Sequence, residues 1–167
     1  MRRRFRWLCL LACLVPVDAG AEALPRPTGA VVLTVSGAIA VTNTKAEARF
    51  DRAMLEKLGV HALRTSTTWT TGVKTFEGVR ARDVMAAVGA KGTEARAVAL
   101  NDYAVIVPLE DFDRYDVLLA FRMDGQDLTA RDKGPLWIVY PRDAHRELND
   151  AKFDARWAWQ LKRLEVK

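Results

Sequence analysis

Short runs of alternating or β-branched apolar residues recur along the chain and predict short strands and extended segments. The first two runs are joined by Ser36-Gly37 and predict a hairpin or a bent pair of strands. Asp124-Gly125 is a strong signal for a tight hairpin turn. The predicted strands and extended segments are Val31–Val35, Ala38–Thr42, Val60–Thr68, Val73–Phe76, Ala95–Leu100, Ala104–Val107, Asp116–Met123, Leu136–Tyr140 and Trp157–Val166, the last of which is expected to close the sheet.

Two segments between these runs predict short helices. Asp51 can cap a helix over Arg52–Leu58, which ends at Gly59. A second helix is predicted over about Ala81–Val88 and ends at Gly89. Short strands with a few short helices at irregular intervals predict a compact α+β domain with a mixed sheet. No repeat or low-complexity segment divides residues 24–167, so we expect a single domain there.

The first 23 residues have the pattern of a secretory signal peptide. Four arginines precede the apolar run Trp7–Val17, which is well short of the roughly 20 residues needed to cross a bilayer. Small residues then offer cleavage after Ala21 or Ala23. We expect a periplasmic protein without membrane insertion after cleavage. An uncleaved anchor and lipidation at Cys13 are the alternatives.

Charge and residue counts exclude several classes of function. The leader holds four of the 26 basic and two of the 21 acidic residues, so its removal lowers the net charge from +5 to +3. No basic cluster with interleaved aromatic residues remains, which argues against nucleic-acid binding. Both histidines, His61 and His145, are expected at the surface, and no metal site is predicted.

Acidic residues and possible nucleophiles give no catalytic pattern either. Asp111, Asp113 and Asp116 lie close together, but their spacing lacks the glycine and distal glutamate of a calcium loop. They are therefore expected in a solvated turn. No nucleophile elbow or glycine-rich phosphate loop is present, so no catalytic residue is predicted.

Four stretches together resemble the molybdopterin-binding domain of sulfite-oxidase-type oxidoreductases. They are Phe76–Ala90 with an aromatic-x-Gly-x-x-x-x-Asp pattern, Asn101–Phe112 with a Tyr-x-x-x-x-Pro pattern, Asp116–Pro141 with Gly-Pro-Leu before a terminal proline, and Trp157–Val166. The resemblance implies an α+β fold of that type. It also implies redox chemistry at a molybdenum ion that the family holds through a cysteine thiolate and the pterin dithiolene.

The chain departs from this family pattern at the residues that would hold the cofactor. Its two cysteines, Cys9 and Cys13, both lie in the predicted leader. The resemblance places the molybdenum cysteine near Thr65, ahead of Trp69, and a hydroxyl cannot replace a soft thiolate. Trp137 stands where an arginine is common, and Ala158 where a lysine is common. We therefore expect no cofactor, with retained molybdopterin as the alternative.

These observations predict a periplasmic protein that binds a small ligand or partners a membrane-bound sensor, without redox turnover. The ligand would be anionic or carbonyl-bearing, because aromatic and cationic side chains surround the pocket in which the family holds its cofactor. The alternative is a molybdopterin-dependent oxidoreductase that retains the cofactor without a cysteine ligand. The predicted ligand-binding residues are Arg64, Thr65, Trp69, Tyr103, Trp137 and Arg142.

Overall fold

The computed structural model describes residues 24–167, so the predicted leader lies outside the described residues. Ten strands and four α-helices make up this part of the chain. The strands are β1 (Val31–Gly37), β2 (Ala48–Asp51), β3 (His61–Ser66), β4 (Val73–Arg80), β5 (Glu94–Ala99), β6 (Ala104–Pro108), β7 (Leu118–Met123), β8 (Gln126–Asp127), β9 (Trp137–Val139) and β10 (Leu161–Val166). The helices are α1 (Arg52–Lys57), α2 (Ala81–Ala87), α3 (Leu109–Arg114) and α4 (Ala151–Asp154).

The strands form two five-stranded sheets, and the first has the order β2-β1-β10-β5-β6. In this sheet β1 and β10 are parallel, and the other neighbours are antiparallel. The C-terminal strand therefore lies in the middle of the sheet. Sequence analysis expected this strand to close the sheet, and β10 does so by joining β1 to β5.

The second sheet is antiparallel and has the order β3-β4-β7-β8, with β9 also paired to β7. Gly78 lies at a register shift between β4 and β7. A Cβ atom there would lie 2.2 Å from the Leu119 carbonyl oxygen, so the two strands can approach this closely only at a glycine.

One continuous core lies between the sheets and helices. Strand β9 is buried at all three positions, as its apolar sequence predicts. Strand β7 is buried at its first four positions. Within residues 24–167, no helix is long and apolar enough to cross a membrane.

The α+β prediction is confirmed, and so are both predicted helices. Asp51 caps α1 by accepting a hydrogen bond from the Met54 amide, at 2.9 Å. Gly59 and Gly89 follow α1 and α2 with positive φ angles of 109° and 57°, as expected for glycines that end helices.

The hairpin or bent pair of strands predicted around Ser36-Gly37 is wrong. Strand β1 pairs with β2 and β10, whereas residues 38–42 form no strand and contribute only an isolated bridge from Ile39 to Ala90. Helix α3 was not predicted, and it begins directly after Pro108.

Candidate functional site

Four tryptophans gather at one end of the core, and we call them the four-tryptophan cluster: Trp69, Trp137, Trp157 and Trp159. The ring centroid of Trp69 lies 5.5 Å from those of Trp157 and Trp159 and 6.3 Å from that of Trp137. Trp137 lies 6.1 Å from Trp157. These separations are in the favourable range for tilted and edge-to-face aromatic pairs. The cluster is thus one packed unit drawn from three parts of the chain.

Backbone hydrogen bonds and the buried strand β9 set the positions of these tryptophans. Trp69 follows β3 in a turn in which its amide donates to the Thr67 hydroxyl, at 3.0 Å. Trp137 begins the buried strand β9. The segment that carries Trp157 and Trp159 is tied to β9 because the Ile138 amide donates to the Ala158 carbonyl, at 3.0 Å.

A cavity of about 360 Å³ opens beside this cluster, and we call it the aromatic cavity. Three tryptophans and a tyrosine are among its nine lining residues, and such aromatic walls are typical of sites for small organic ligands. Its lining residues are Trp69, Ala99, Asn101, Tyr103, Asp154, Ala155, Trp157, Ala158 and Trp159.

The polar groups of the aromatic cavity are already partly engaged. The Tyr103 hydroxyl donates to the Ala155 carbonyl at 3.3 Å, and the Tyr103 amide donates to Asn101 Oδ1 at 3.1 Å. Asp154 forms a 2.6 Å ion pair with Arg142, which also donates to Asn149 at 2.6 Å. The Asn101 side-chain oxygen is thus engaged by the backbone, which leaves the amide nitrogen as the remaining hydrogen-bonding group of this side chain.

A buried polar network supports the segment behind the cavity. Asp111 Oδ2 accepts hydrogen bonds from the Tyr140 hydroxyl at 2.8 Å and from Arg156 at 2.5 Å. The solvated turn predicted for Asp111 is therefore wrong, because this carboxylate is only 7% exposed and balances the Arg156 charge. Burial is the main cause that raises the pKa of the Tyr140 phenol far above its usual value, so its hydroxyl remains a donor.

The six predicted ligand-binding residues occupy different surroundings. Trp69 and Tyr103 line the aromatic cavity. Trp137 is fully buried behind Trp69, and Arg142 reaches the cavity only through its ion pair with Asp154. Arg64 is exposed on β3, and Thr65 is buried beside it; neither lines the cavity.

Sequence reasoning left Asp154, Trp157 and Trp159 out of the predicted site. The Trp-Ala-Trp spacing is a usable signal, since both tryptophans of this segment line the cavity.

The family model for the oxidoreductase molybdopterin binding domain matches residues 28–145, most of the chain. The chain belongs to this family. Among solved structures, the sulfane dehydrogenase SoxCD from Paracoccus pantotrophus is similar, with a TM-score of 0.59 and 17% sequence identity. The alignment covers 81% of this chain and 38% of that chain, so it establishes a shared fold over part of the larger protein. No curated protein matches the chain.

The family cofactor calls for a soft ligand, and the residues of this molybdopterin-binding-type domain do not fit it. Residues 24–167 contain no cysteine. The buried Thr65 hydroxyl accepts a hydrogen bond from the Asp143 amide at 3.2 Å and donates to the Ser66 carbonyl at 3.3 Å. The neighbouring Ser66 is bonded to the Asp143 carboxylate through its amide and its hydroxyl. The Thr65 position is thus closed by the Pro141–Ala144 turn and offers no thiolate.

The positions expected to meet the pterin phosphate do not fit it either. Trp137 is fully buried and Ala158 is 2% exposed, and neither side chain carries a charge. Among the described residues, the Nε1 atoms of Trp137 and Trp157 are buried without a hydrogen-bond partner. Each such donor costs about 1–3 kcal/mol, which the surrounding aromatic packing has to offset.

Proposed function

We propose that this protein is an exported member of the molybdopterin-binding domain family that binds a small organic ligand and performs no redox turnover. The aromatic cavity carries this proposal. It is large enough for a ring-bearing molecule, and its wall combines aromatic faces with the few polar groups that would orient a ligand.

The cavity favours a carbonyl-bearing ligand over a strongly anionic one. Arg142 is the cation nearest to the cavity among the predicted residues, and its charge is balanced by Asp154. Asn101 offers an amide N–H group to a carbonyl oxygen, while the tryptophan faces suit a planar body. A planar amide, lactam or ketone combines both features.

The absence of redox turnover is supported by the donor chemistry at Thr65 and by the uncharged side chains at Trp137 and Ala158. The competing function is a molybdopterin-dependent oxidoreductase that holds its cofactor through other contacts. Metal analysis of protein purified from a host that makes molybdopterin separates the two. We expect molybdenum far below one atom per chain, and a stoichiometric content would contradict the proposal.

Ligand binding is testable by a thermal-shift screen of planar carbonyl compounds, because a ligand that binds only the folded state raises the melting temperature. Tyr103→Ala and Trp159→Ala remove two parts of the cavity wall and should abolish the shift of a hit compound. Ile106→Ala is the matched control, since Ile106 is also exposed but does not line the cavity. A hit with the same shift in all three variants would exclude the aromatic cavity as the binding site.

A sensor-partner role is a second candidate, favoured by apolar residues beside the aromatic cavity. Leu100, Tyr103 and Ile106 lie on β5–β6 and its connection and are 43%, 51% and 41% exposed. Exposed apolar side chains are typical of a recognition surface where they adjoin one another. Under this function, Leu100→Asp together with Ile106→Asp would abolish sensor activation in cells while ligand shifts remain.

Export to the periplasm is proposed from the leader pattern and is tested by N-terminal sequencing. We expect the exported protein to begin at Glu22 or Leu24. A periplasmic protein that still begins at Met1 would contradict cleavage.

A further inference from the structure

A second cavity, of about 490 Å³, lies apart from the aromatic cavity and shares no lining residue with it. Both histidines of the chain line this cavity. His61 begins β3, whereas His145 follows β9 in the segment that leads to the 3₁₀ turn at Arg146–Leu148. The fold thus brings together two nitrogen-bearing side chains that are far apart in sequence. We call this space the histidine-arginine cavity.

Two arginines from other elements also line this cavity. Arg80 ends β4 and Arg114 ends α3. Their contacts with carboxylates are long, 3.9 Å from Arg80 to Asp116 and 3.6 Å from Arg114 to Glu147. Ion pairs this long between partly exposed groups contribute little, so both guanidinium groups can turn to another anion at small cost.

The nearby carboxylates do not occupy all the hydrogen-bond donors of the two arginines and two histidines. Asp116 lines the cavity, but its Oδ1 atom is held by Arg82 at 2.6 Å. Asp83 lies 3.9 Å from His61, too far for a hydrogen bond. The two arginines and two imidazoles therefore outnumber the single carboxylate in the lining.

Tyr115 adds a neutral aromatic ring to the cavity wall. The side chain is 3% exposed, and its ring lies edge-on to His145 with centroids 5.2 Å apart. Burial is the main cause that raises the pKa of the Tyr115 phenol, which therefore stays protonated near neutral pH.

We infer that the histidine-arginine cavity binds a small oxyanion, of the carboxylate, sulfate or phosphate class. Guanidinium groups are suited to oxyanions because their N–H groups match pairs of oxygen atoms. The imidazole groups of His61 and His145 can supply further donors to the remaining oxygens. The size of the cavity leaves room for an organic body attached to the anionic group.

The two imidazoles are direct reporters for this inference, because the chain has no others. Inorganic phosphate and sulfate are titrated separately, at constant ionic strength, into protein with isotope-labelled histidine. We expect the ring signals of both His61 and His145 to shift and saturate with one of the two anions. Arg80→Gln and Arg114→Gln should each weaken the apparent affinity about tenfold, the effect of losing one charge-assisted hydrogen bond.

Arg96→Gln is the matched control. Arg96 lies on β5, is 41% exposed and has a 3.7 Å contact with Glu165, so it resembles Arg80 in exposure and pairing but lies outside the cavity. Its substitution should leave the affinity unchanged. Shifts that never saturate, or an equal loss in all three variants, would overturn the inference. The Arg114→Gln variant is also expected to fold normally, because the Arg114 side chain is 59% exposed. A loss of affinity in this variant therefore reports on the cavity.

Discussion

At the scale of single residues, one buried carboxylate connects three parts of the chain. Asp111 on α3 accepts hydrogen bonds from Tyr140, which follows β9, and from Arg156, which follows α4. Sequence reasoning placed Asp111 in a solvated turn with Asp113 and Asp116, because their spacing lacks the glycine and distal glutamate of a calcium loop. The residues that bury it lie 29 and 45 positions away, so no local pattern indicates them.

Asp111→Asn is expected to lower the free energy of unfolding by about 2 kcal/mol or more, because it leaves the Arg156 charge without its counterion in a mostly buried place. Asp113→Asn is the control, since Asp113 is on the same helix but exposed. Urea unfolding measures both variants. Equal stability of the two variants would show that the Asp111 network contributes nothing.

The Asp51 carboxyl makes the stability of the fold depend on pH in the acid range. Backbone hydrogen bonds from Gly29, first, and from Met54 hold the pKa of its carboxyl below the usual value. Because the folded-state pKa is lowered, the ionised Asp51 carboxylate stabilises the folded state. This stabilisation is fully present above the unfolded-state pKa, near about pH 4, and is lost as the pH falls through the folded-state pKa.

Asp51→Asn is therefore expected to be less stable than the wild type at neutral pH. The difference between their melting temperatures should shrink as the pH falls below about 4. Asp113→Asn controls for the loss of a carboxylate. A stability difference that stays constant down to the acid limit would contradict this role for Asp51.

At the scale of elements, the capping signals of the predicted helices were reliable, whereas the turn signal at Ser36-Gly37 and the strand pairing were not. Helix α1 was predicted because Asp51 and Gly59 act on their immediate neighbours. Strand β1 was predicted as a strand, but its partners β2 and β10 lie beyond the reach of any local pattern. Ser36-Gly37 looked like a hairpin turn, yet Gly37 meets the backbone of Val166 at the far end of the chain.

The contact between β4 and β7 depends on Gly78. Gly78→Ala should cost about 1–3 kcal/mol, the usual cost of overpacking, because the added Cβ would meet the Leu119 carbonyl oxygen. Gly29→Ala is the control, since a Cβ there would meet only Asp51 atoms, at 3.5 Å or more. Denaturant unfolding compares the two. A Gly78→Ala variant as stable as the control would mean that β4 and β7 can separate at this point without cost.

At the scale of the whole molecule, the family resemblance located part of the candidate site. It directed attention to Trp69 and Tyr103, which line the aromatic cavity. It could not reveal that Asp154 would take up the Arg142 charge, because that ion pair depends on how α4 packs beside the Pro141–Ala144 turn. The shape of the cavity arises from these tertiary contacts.

Removal of β10 should abolish the fold, because this strand pairs with both β1 and β5. A chain that ends at Gln160 is expected to lose the cooperative thermal transition and the near-ultraviolet circular dichroism of the packed tryptophans. A cooperative transition in that truncated protein would show that the two halves of the first sheet are stable without β10.

The central position of β10 also sets the order in which the first sheet can assemble. Strands β1 and β5 share no partner other than β10, so the first sheet forms only when residues 161–166 are available to both. Until then the chain holds two separate strand pairs, β1 with β2 and β5 with β6. The first sheet is therefore assembled in one late step in which distant parts of the chain meet.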